Sequence, residues 1–401
     1  MQKKLMAIAV AGALGAPAVA LAQASTVQVY GQITYEYGIA EQGDAAPGVG
    51  RPSVDYADTP GGSAIGFRGE EKLGGGLSAW FQCESSADIR GIDHSGWCTR
   101  NSAVGFKGGF GNIHFGRWDT PMKRALNVGT VGAEETGLLG MSFLPFGGSG
   151  GADATGTGGD SVQRQRWKRR EVGLTYYESP MFGGFQVLAA FSPGNAAADN
   201  ALVDGDVNKK PRVISLAGIY NAGPLGIGLA YERHNDFGGF APVSTEDADD
   251  RAWGASIAYR FGPVEVGATY LDAKYDTLPG QELKKKTATI GVDWTVAGPH
   301  SVEAQYAWAD DSSGNSTVGI GGNGGAAAPC PGGPGVCVDS TGGDAISIAY
   351  RYRFSKRTSI KLGYIMVDND SNSNTYRVGN TAAVAAGEKS SAVAFHIRHR
   401  F

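Results

Sequence analysis

The chain has little of what most proteins of its size use to fold. Beyond residue 22 it holds no apolar run near the ~20 residues that a spanning helix requires. Long aliphatic patterns of helical period are missing too, which argues against a helical bundle. Positive charge is not in excess: 35 Lys and Arg stand against 39 Asp and Glu, a formal charge of −4. That balance excludes the global basic surface of a nucleic-acid binder. Six histidines occur, and none sits in a recognisable nucleophile motif such as G-x-S-x-G. His396 and His399 fall on opposite faces of one alternating segment and cannot share a metal. Neither an enzyme nor a cofactor is expected. Cysteine is scarce, at four residues, without the C-x₂-C spacing or adjacent histidine pair of a zinc site.

What is present points elsewhere. Lys3 and Lys4 precede an unbroken small and apolar run from Leu5 to Ala22 that ends Ala20-Leu21-Ala22. A positive start, an apolar core and an A-x-A site make residues 1–22 a cleaved signal peptide, with a second A-x-A frame ending at Ala24. Loss of Lys3 and Lys4 would take the formal charge from −4 to −6. Glycine is 63 of 401 residues, about twice the usual ~7%. Aromatic residues make up 10%.

Apolar and polar residues alternate along almost the whole chain. At residues 391–401, Val393, Phe395, Ile397 and Phe401 share one parity, while Ala392, Ala394, His396, Arg398 and Arg400 share the other. Side chains of a strand point to alternate faces, so such a segment can meet lipid on one side and water on the other. Counting these segments gives sixteen strands: 26–38, 62–73, 77–88, 100–107, 112–118, 166–178, 185–192, 212–221, 225–233, 251–261, 264–275, 285–296, 301–309, 345–354, 358–368 and 391–401. Their connections alternate between tight Gly/Pro turns and long polar loops. Short periplasmic turns, long outer loops and an even strand count are the pattern of outer-membrane barrels, and closure leaves no unpaired backbone in hydrocarbon. The expected fold is all-β: a closed, antiparallel, sixteen-stranded transmembrane barrel over residues 23–401.

Several stretches resemble the general porins of β-proteobacteria. They are NSAVGFKGGFGNIHFGRWDTPMK at 101–123, VQVYGQI at 27–33, IGFRGEEKLGGGLSAWFQCE at 65–84, YYESPMFGGF at 176–185 and the terminal aromatic Phe401. The resemblance implies an outer-membrane homotrimer in contact with lipid and lipopolysaccharide, passing small hydrophilic solutes and ions by passive diffusion. It also implies a third outer loop folded inward, here 119–165, and a terminal Phe401 read by the barrel-assembly machinery. A substrate-selective channel is the alternative, and greasy aromatic tracks in the lumen would mark it.

The resemblance places the acids of that loop, Glu134 and Glu135, at the constriction, opposite a basic wall. Family arginines match Arg169 and Arg100, while a third falls on Ala64, so Arg68, Lys107 and His114 are alternative sources of positive charge. Counting back from Val172, Leu174 and Tyr176 as outward residues turns Arg169 into the lumen. The same count from Val104 and Phe106 turns Arg100 out, and only a bulge would bring it in. Positive charge on rigid wall strands, against acids on a loop, gives an expected weak anion preference despite the net negative chain. Cys83 and Cys98 share an outward parity across one hairpin loop, and Cys330 and Cys337 bracket a Pro/Gly loop tip. Two disulfides are therefore expected, Cys83 with Cys98 and Cys330 with Cys337.

Overall fold

The computed structural model describes residues 27–43, 53–59, 62–90, 96–132, 137–141, 167–193, 212–235, 249–276, 279–317, 338–373, 376–379 and 384–401. The signal-peptide expectation lies outside these residues. The strands are β1 (Gln28–Gln42), β2 (Ser53–Asp58), β3 (Ala64–Gly74), β4 (Leu77–Ser86), β5 (Ser102–Gly108), β6 (Gly111–Asp119), β7 (Arg170–Glu178), β8 (Phe185–Ser192) and β9 (Arg212–Ala222). They continue with β10 (Leu225–Asn235), β11 (Asp250–Phe261), β12 (Val264–Asp276), β13 (Glu282–Ala297), β14 (His300–Ala309), β15 (Ser313–Gly314), β16 (Gly343–Arg353), β17 (Thr358–Asn369) and β18 (Ser390–Arg400).

All pairings are antiparallel, each strand bonds its neighbours, and β1 pairs with β18 from Gln32↔Arg400 to Gln42↔Ser390 to close the ring. The eighteen elements make sixteen wall strands. β2 pairs with the outer half of β1 and β3 with its inner half, so the two are one wall strand interrupted at 59–63. Ser63 fills the gap: its hydroxyl accepts from the Thr34 amide at 2.9 Å and donates to the Thr34 carbonyl at 3.2 Å. β15 is a two-residue ribbon on β13, while β14 pairs directly with β16. The turn after β3 is made by Gly74, Gly75 and Gly76, all at positive φ (92°, 58° and 79°), where other residues are strained.

The alternation read from the sequence sorts the two faces on most strands. Val393, Phe395 and Ile397 of β18, and Ile346, Ile348 and Tyr350 of β16, are exposed on the outside. Ala392, Ala394 and His396 are buried inside. β7 reverses the expectation. Leu174 and Tyr176, expected outside, are wholly buried on the inner face. The strand also starts four residues later than expected, at Arg170, because 167–169 belongs to the root of a loop. Between Gly116 and Trp118 the β6–β7 register shifts, with Gly173 at φ 62°. This bulge switches parity, so Arg169 faces inward even though the set used to count back to it was inverted.

The connection after β6 stays inside the barrel wherever it is described. Thr120 caps a helix, Pro121–Asn127, by accepting from the Lys123 amide at 3.3 Å. The helix lies on β9–β11: the Met122 amide donates to the Ser215 hydroxyl at 3.0 Å, and the Ser256 hydroxyl donates to the Ala125 carbonyl at 2.6 Å. The chain then crosses the inner face of β12 to β14. It reappears at Leu138, whose amide donates to the Glu36 carboxylate of β1 at 2.7 Å. Leu138, Leu139 and Met141 join a buried cluster with Ala345, Ile365 and Val367, and Met122, Ala125 and Leu126 join a second with Leu174 and Leu188. Glycine floors this track. A β-carbon at Gly228 would lie 2.4 Å from the Ala125 carbonyl oxygen, and one at Gly291 would lie 1.8 Å from that of Val131. Only glycine lets two backbones approach so closely.

Candidate functional site

The described parts of the loop lie on the inner wall from β9 to β14 and again on β16–β18 and β1, and the root is sealed by Trp167. That indole stacks on His234 at 4.5 Å and donates to the Tyr275 hydroxyl at 2.8 Å. Arg169 sits at this root in an ion pair with Glu171; the two side chains are 5% and 0% exposed. A charge this far from water cannot be excluded from solvent cheaply unless paired, and here it is.

Toward the start of β1, its inner face meets three arginines of β3 and β18 through neutral oxygens. Along the inner face of β1, Gln28, Gln32 and Thr34 each accept from one guanidinium Nε. The donors are Arg68 of β3 at 2.9 Å, Arg400 of β18 at 3.1 Å and Arg398 of β18 at 3.0 Å. The Arg68 guanidinium also lies 4.8 Å from the Tyr30 ring centroid. The amide oxygens on Arg68 and Arg400 orient the guanidinium without cancelling its charge, as a carboxylate would.

Beside Arg68 opens a cavity of about 1050 Å³ between β3–β7 and the loop helix, lined among others by Trp80, Gln82, Asn112, Trp118 and Arg124. Its other charges are paired. Lys107 Nζ is 3.2 Å from Glu70, and Arg124 Nη1 is 2.6 Å from Glu178. His114, a candidate source of charge, is buried and stacked on Tyr176 at 4.7 Å.

The comparisons with known proteins decide the family. Residues 7–372 match the family described as Gram-negative porin. The chain belongs to that family. Outer membrane porin protein 32 of Delftia acidovorans is 29% identical over the full length of both chains. A major outer membrane protein P.IB of Neisseria gonorrhoeae is 32% identical over half of each. Among solved structures, the anion-selective porin from Comamonas acidovorans superposes with a TM-score of 0.68 at 23% identity, covering 94% of this chain and 100% of that one. OmpT of Vibrio cholerae, in a trimer form, gives 0.62 at 15% identity over 94% of this chain and 100% of that one. This porin is thus a multi-pass β-barrel of the Gram-negative outer membrane that forms a channel for small solutes.

The remaining expected site residues of the porin fall as follows. Arg100 does turn inward, through a break in the β4–β5 ladder. The Ser102 hydroxyl replaces a backbone partner, accepting from the Glu84 amide at 2.9 Å, and the Arg100 amide donates to the Glu84 carbonyl at 2.9 Å. The Arg100 side chain then meets the inward Glu84 carboxylate at 2.7 Å, which also accepts from the Tyr30 hydroxyl at 3.0 Å. Ala64 is buried against Gln32 and carries no charge to the lumen. Glu134, Glu135, Cys330 and Cys337 lie outside the described residues.

Cys83 and Cys98 are bonded, with their α-carbons 4.7 Å apart. The break that turns Arg100 inward lies between Cys98 and the regular ladder, so bond and bulge coexist. Nearby, three hydrogen bonds from Arg90 grip the Asp88 carboxylate and hold it below the usual carboxylate range. Peptide mass mapping without reductant is expected to recover Cys83 joined to Cys98; free thiols at both would overturn the assignment. Reducing a fifteen-residue loop of this kind removes about 3 kcal/mol on the chain-entropy model.

Phe401 takes part in ring closure. Its amide donates to the Gly31 carbonyl at 3.0 Å and its carbonyl accepts from the Gly31 amide at 3.2 Å. A β-carbon at Gly31 would strike the Phe401 ring at 2.6 Å, so the aromatic packs directly on the backbone of β1.

Sequence reasoning placed Arg398 and Arg400 on the inner face of the last strand but not among the constriction charges, and it missed Trp80 and Trp118 as lining. Inward parity on β18 was the available signal for the arginines. None marked the two tryptophans as neighbours.

Proposed function

We propose that this porin is a non-catalytic, homotrimeric general diffusion channel with a weak preference for anions. The observation that carries the preference is the pair of arginines Arg68 of β3 and Arg400 of β18, each held by a neutral amide oxygen of β1. Their charge is delivered to the lumen, whereas the net negative charge of the chain is spread over surfaces screened beyond about 8–10 Å in ordinary salt. Loop acids Glu134 and Glu135 would stand across the constriction from this wall, with Arg68 and Arg100 on it. Arg169 contributes by fixing the root of the loop. Support for the sign also comes from the structurally similar Comamonas porin, described as anion-selective. Support for the trimer comes from the trimeric form of OmpT. Insertion by the barrel-assembly machinery, reading the alternating strand that ends in Phe401, completes the proposal.

The test is a reversal potential across a planar bilayer under a salt gradient. Wild type is expected to be weakly anion-selective. Arg68→Glu is expected to move the potential toward cation selectivity, and the shift should fade as salt rises. A unit charge about 8 Å from an ion in water is worth roughly 0.5 kcal/mol before screening, so reversing one changes the permeability ratio by a few-fold. Clear cation selectivity of wild type, or no shift in the variant at low salt, would remove the arginine pair from the mechanism. Arg169→Glu in the same assay is expected to fail differently. It sets a second carboxylate against buried Glu171, and breaking such a pair costs about 3–5 kcal/mol, so folded yield should fall.

A further inference from the structure

We propose that the cavity beside β3–β7 is a binding subsite for small planar organic anions, of the benzoate kind, on the path through the channel. This rests on the channel reading above and adds a solute class to it.

The argument is one of elimination among the lining groups. The amides are spent on one another. Asn101 accepts from the Asp119 amide at 3.1 Å and from Arg170 at 2.9 Å, and its own amide donates to Asp119 at 2.9 Å. Asn112 accepts from the Trp80 indole at 2.8 Å, and the Gln82 amide donates to the Asn101 carbonyl at 2.8 Å. A neutral sugar, which needs several free amides and carboxylates, finds few. The carboxylates of Glu70 and Glu178 are likewise taken by Lys107 and Arg124. What remains is Arg68, which carries charge, has one nitrogen on Gln28 and one face on Tyr30, and pairs with no carboxylate among the described residues.

Next to that charge lies an aromatic surface. Trp80 and Trp118 meet edge to face at 5.8 Å, backed by His114 at 5.3 Å from Trp80 and 4.9 Å from Trp118. Both indoles line the cavity. In the β3–β4 register Arg68 stands opposite Gln82 and Glu70 opposite Trp80, so Arg68 and Trp80 are diagonal neighbours on the inner face. Such neighbours are ~7–8 Å apart, about the reach of a carboxylate joined to one aromatic ring. The carboxylate would accept from the free guanidinium edge of Arg68 while the ring lies against Trp118, next to Trp80, over whose ring Lys107 Nζ sits 5.1 Å from the centroid.

The experiment is single-channel recording of the full-length porin in low-salt potassium chloride, titrated with sodium benzoate, sodium acetate or glucose. Benzoate is expected to reduce the chloride current along a saturating curve in the millimolar range, while acetate and glucose produce no saturation. Trp118→Ala should weaken the benzoate effect about tenfold, the loss of one good aromatic contact. Trp118→Phe should retain part of it and serves if the alanine variant does not fold. Arg68→Gln should abolish it. Benzoate indistinguishable from acetate, saturation by glucose instead, or full benzoate affinity in both Trp118 variants would each overturn the proposal. A porin that conducts in chloride yet shows no benzoate saturation fails here alone. One that does not conduct at all fails the channel reading.

Discussion

Gly291→Leu is expected to dislodge the inward loop and raise single-channel conductance. A β-carbon there would lie 1.8 Å from the Val131 carbonyl oxygen and 2.8 Å from its carbon, so backbone and not a flexible side chain stands in the way. The wall cannot yield, because Gly291 is held on both sides, opposite Gly267 on β12 and Gln305 on β14. The loop must therefore move. Overpacking by one side chain costs about 1–3 kcal/mol if the loop stays, enough to favour a displaced state. The comparison is Gly254→Ala, whose β-carbon would meet the Met122 sulfur at 2.7 Å and the Leu126 methyl at 3.0 Å. Those are ends of flexible side chains that can shift, so conductance should stay near wild type. Equal conductance in Gly291→Leu and wild type would mean that the loop is not seated by the glycine track.

Phe401→Ala should sharply reduce the yield of heat-modifiable barrel in outer membranes. The ring packs on the bare backbone of Gly31, where no other side chain substitutes for it. Phe401 is 45% exposed, so its truncation costs less than the ~3–5 kcal/mol of a core phenylalanine, but the loss falls on the one seam joining β1 and β18. The backbone bonds between Gly31 and Phe401 survive the substitution, so the few variant barrels that form should conduct with unaltered selectivity. Quantitative heat-shift electrophoresis of membrane fractions checks this. Wild-type amounts of folded variant would show that the aromatic is dispensable for closure and for recognition.

The wall was legible because a strand with lipid on one side and water on the other writes its period into the sequence. Val393, Phe395 and Ile397 against Ala394 and His396 need no structure to interpret. β7 was misread because it is apolar on both faces. Tyr177 faces out while Leu174 and Tyr176 pack inward on the loop helix and His114, so no parity stood out, and the bulge at Gly173 reset the count. Arg100 was legible as a conditional, inward only through a bulge, and the Ser102 hydroxyl supplies that break. The inward fold of the loop, expected from the resemblance, is met by the burial of Leu138, Leu139 and Met141 in one apolar cluster. The partners of the arginines on β18 were hidden for a different reason. Gln32 and Arg400 touch across 368 positions of sequence, and Thr34 and Arg398 across 364, separations at which local pattern carries no information.

Those separations tie conduction to completion. Two of the three arginine contacts cross the junction between β1 and β18, so they come into being only when the ring is sealed. A barrel with that junction ajar would leave the edges of β1 and β18 unpaired in hydrocarbon, and its cations would lack the oxygens that aim them. The aim of these charges is therefore a property of the closed ring, and neither end of the chain holds it alone.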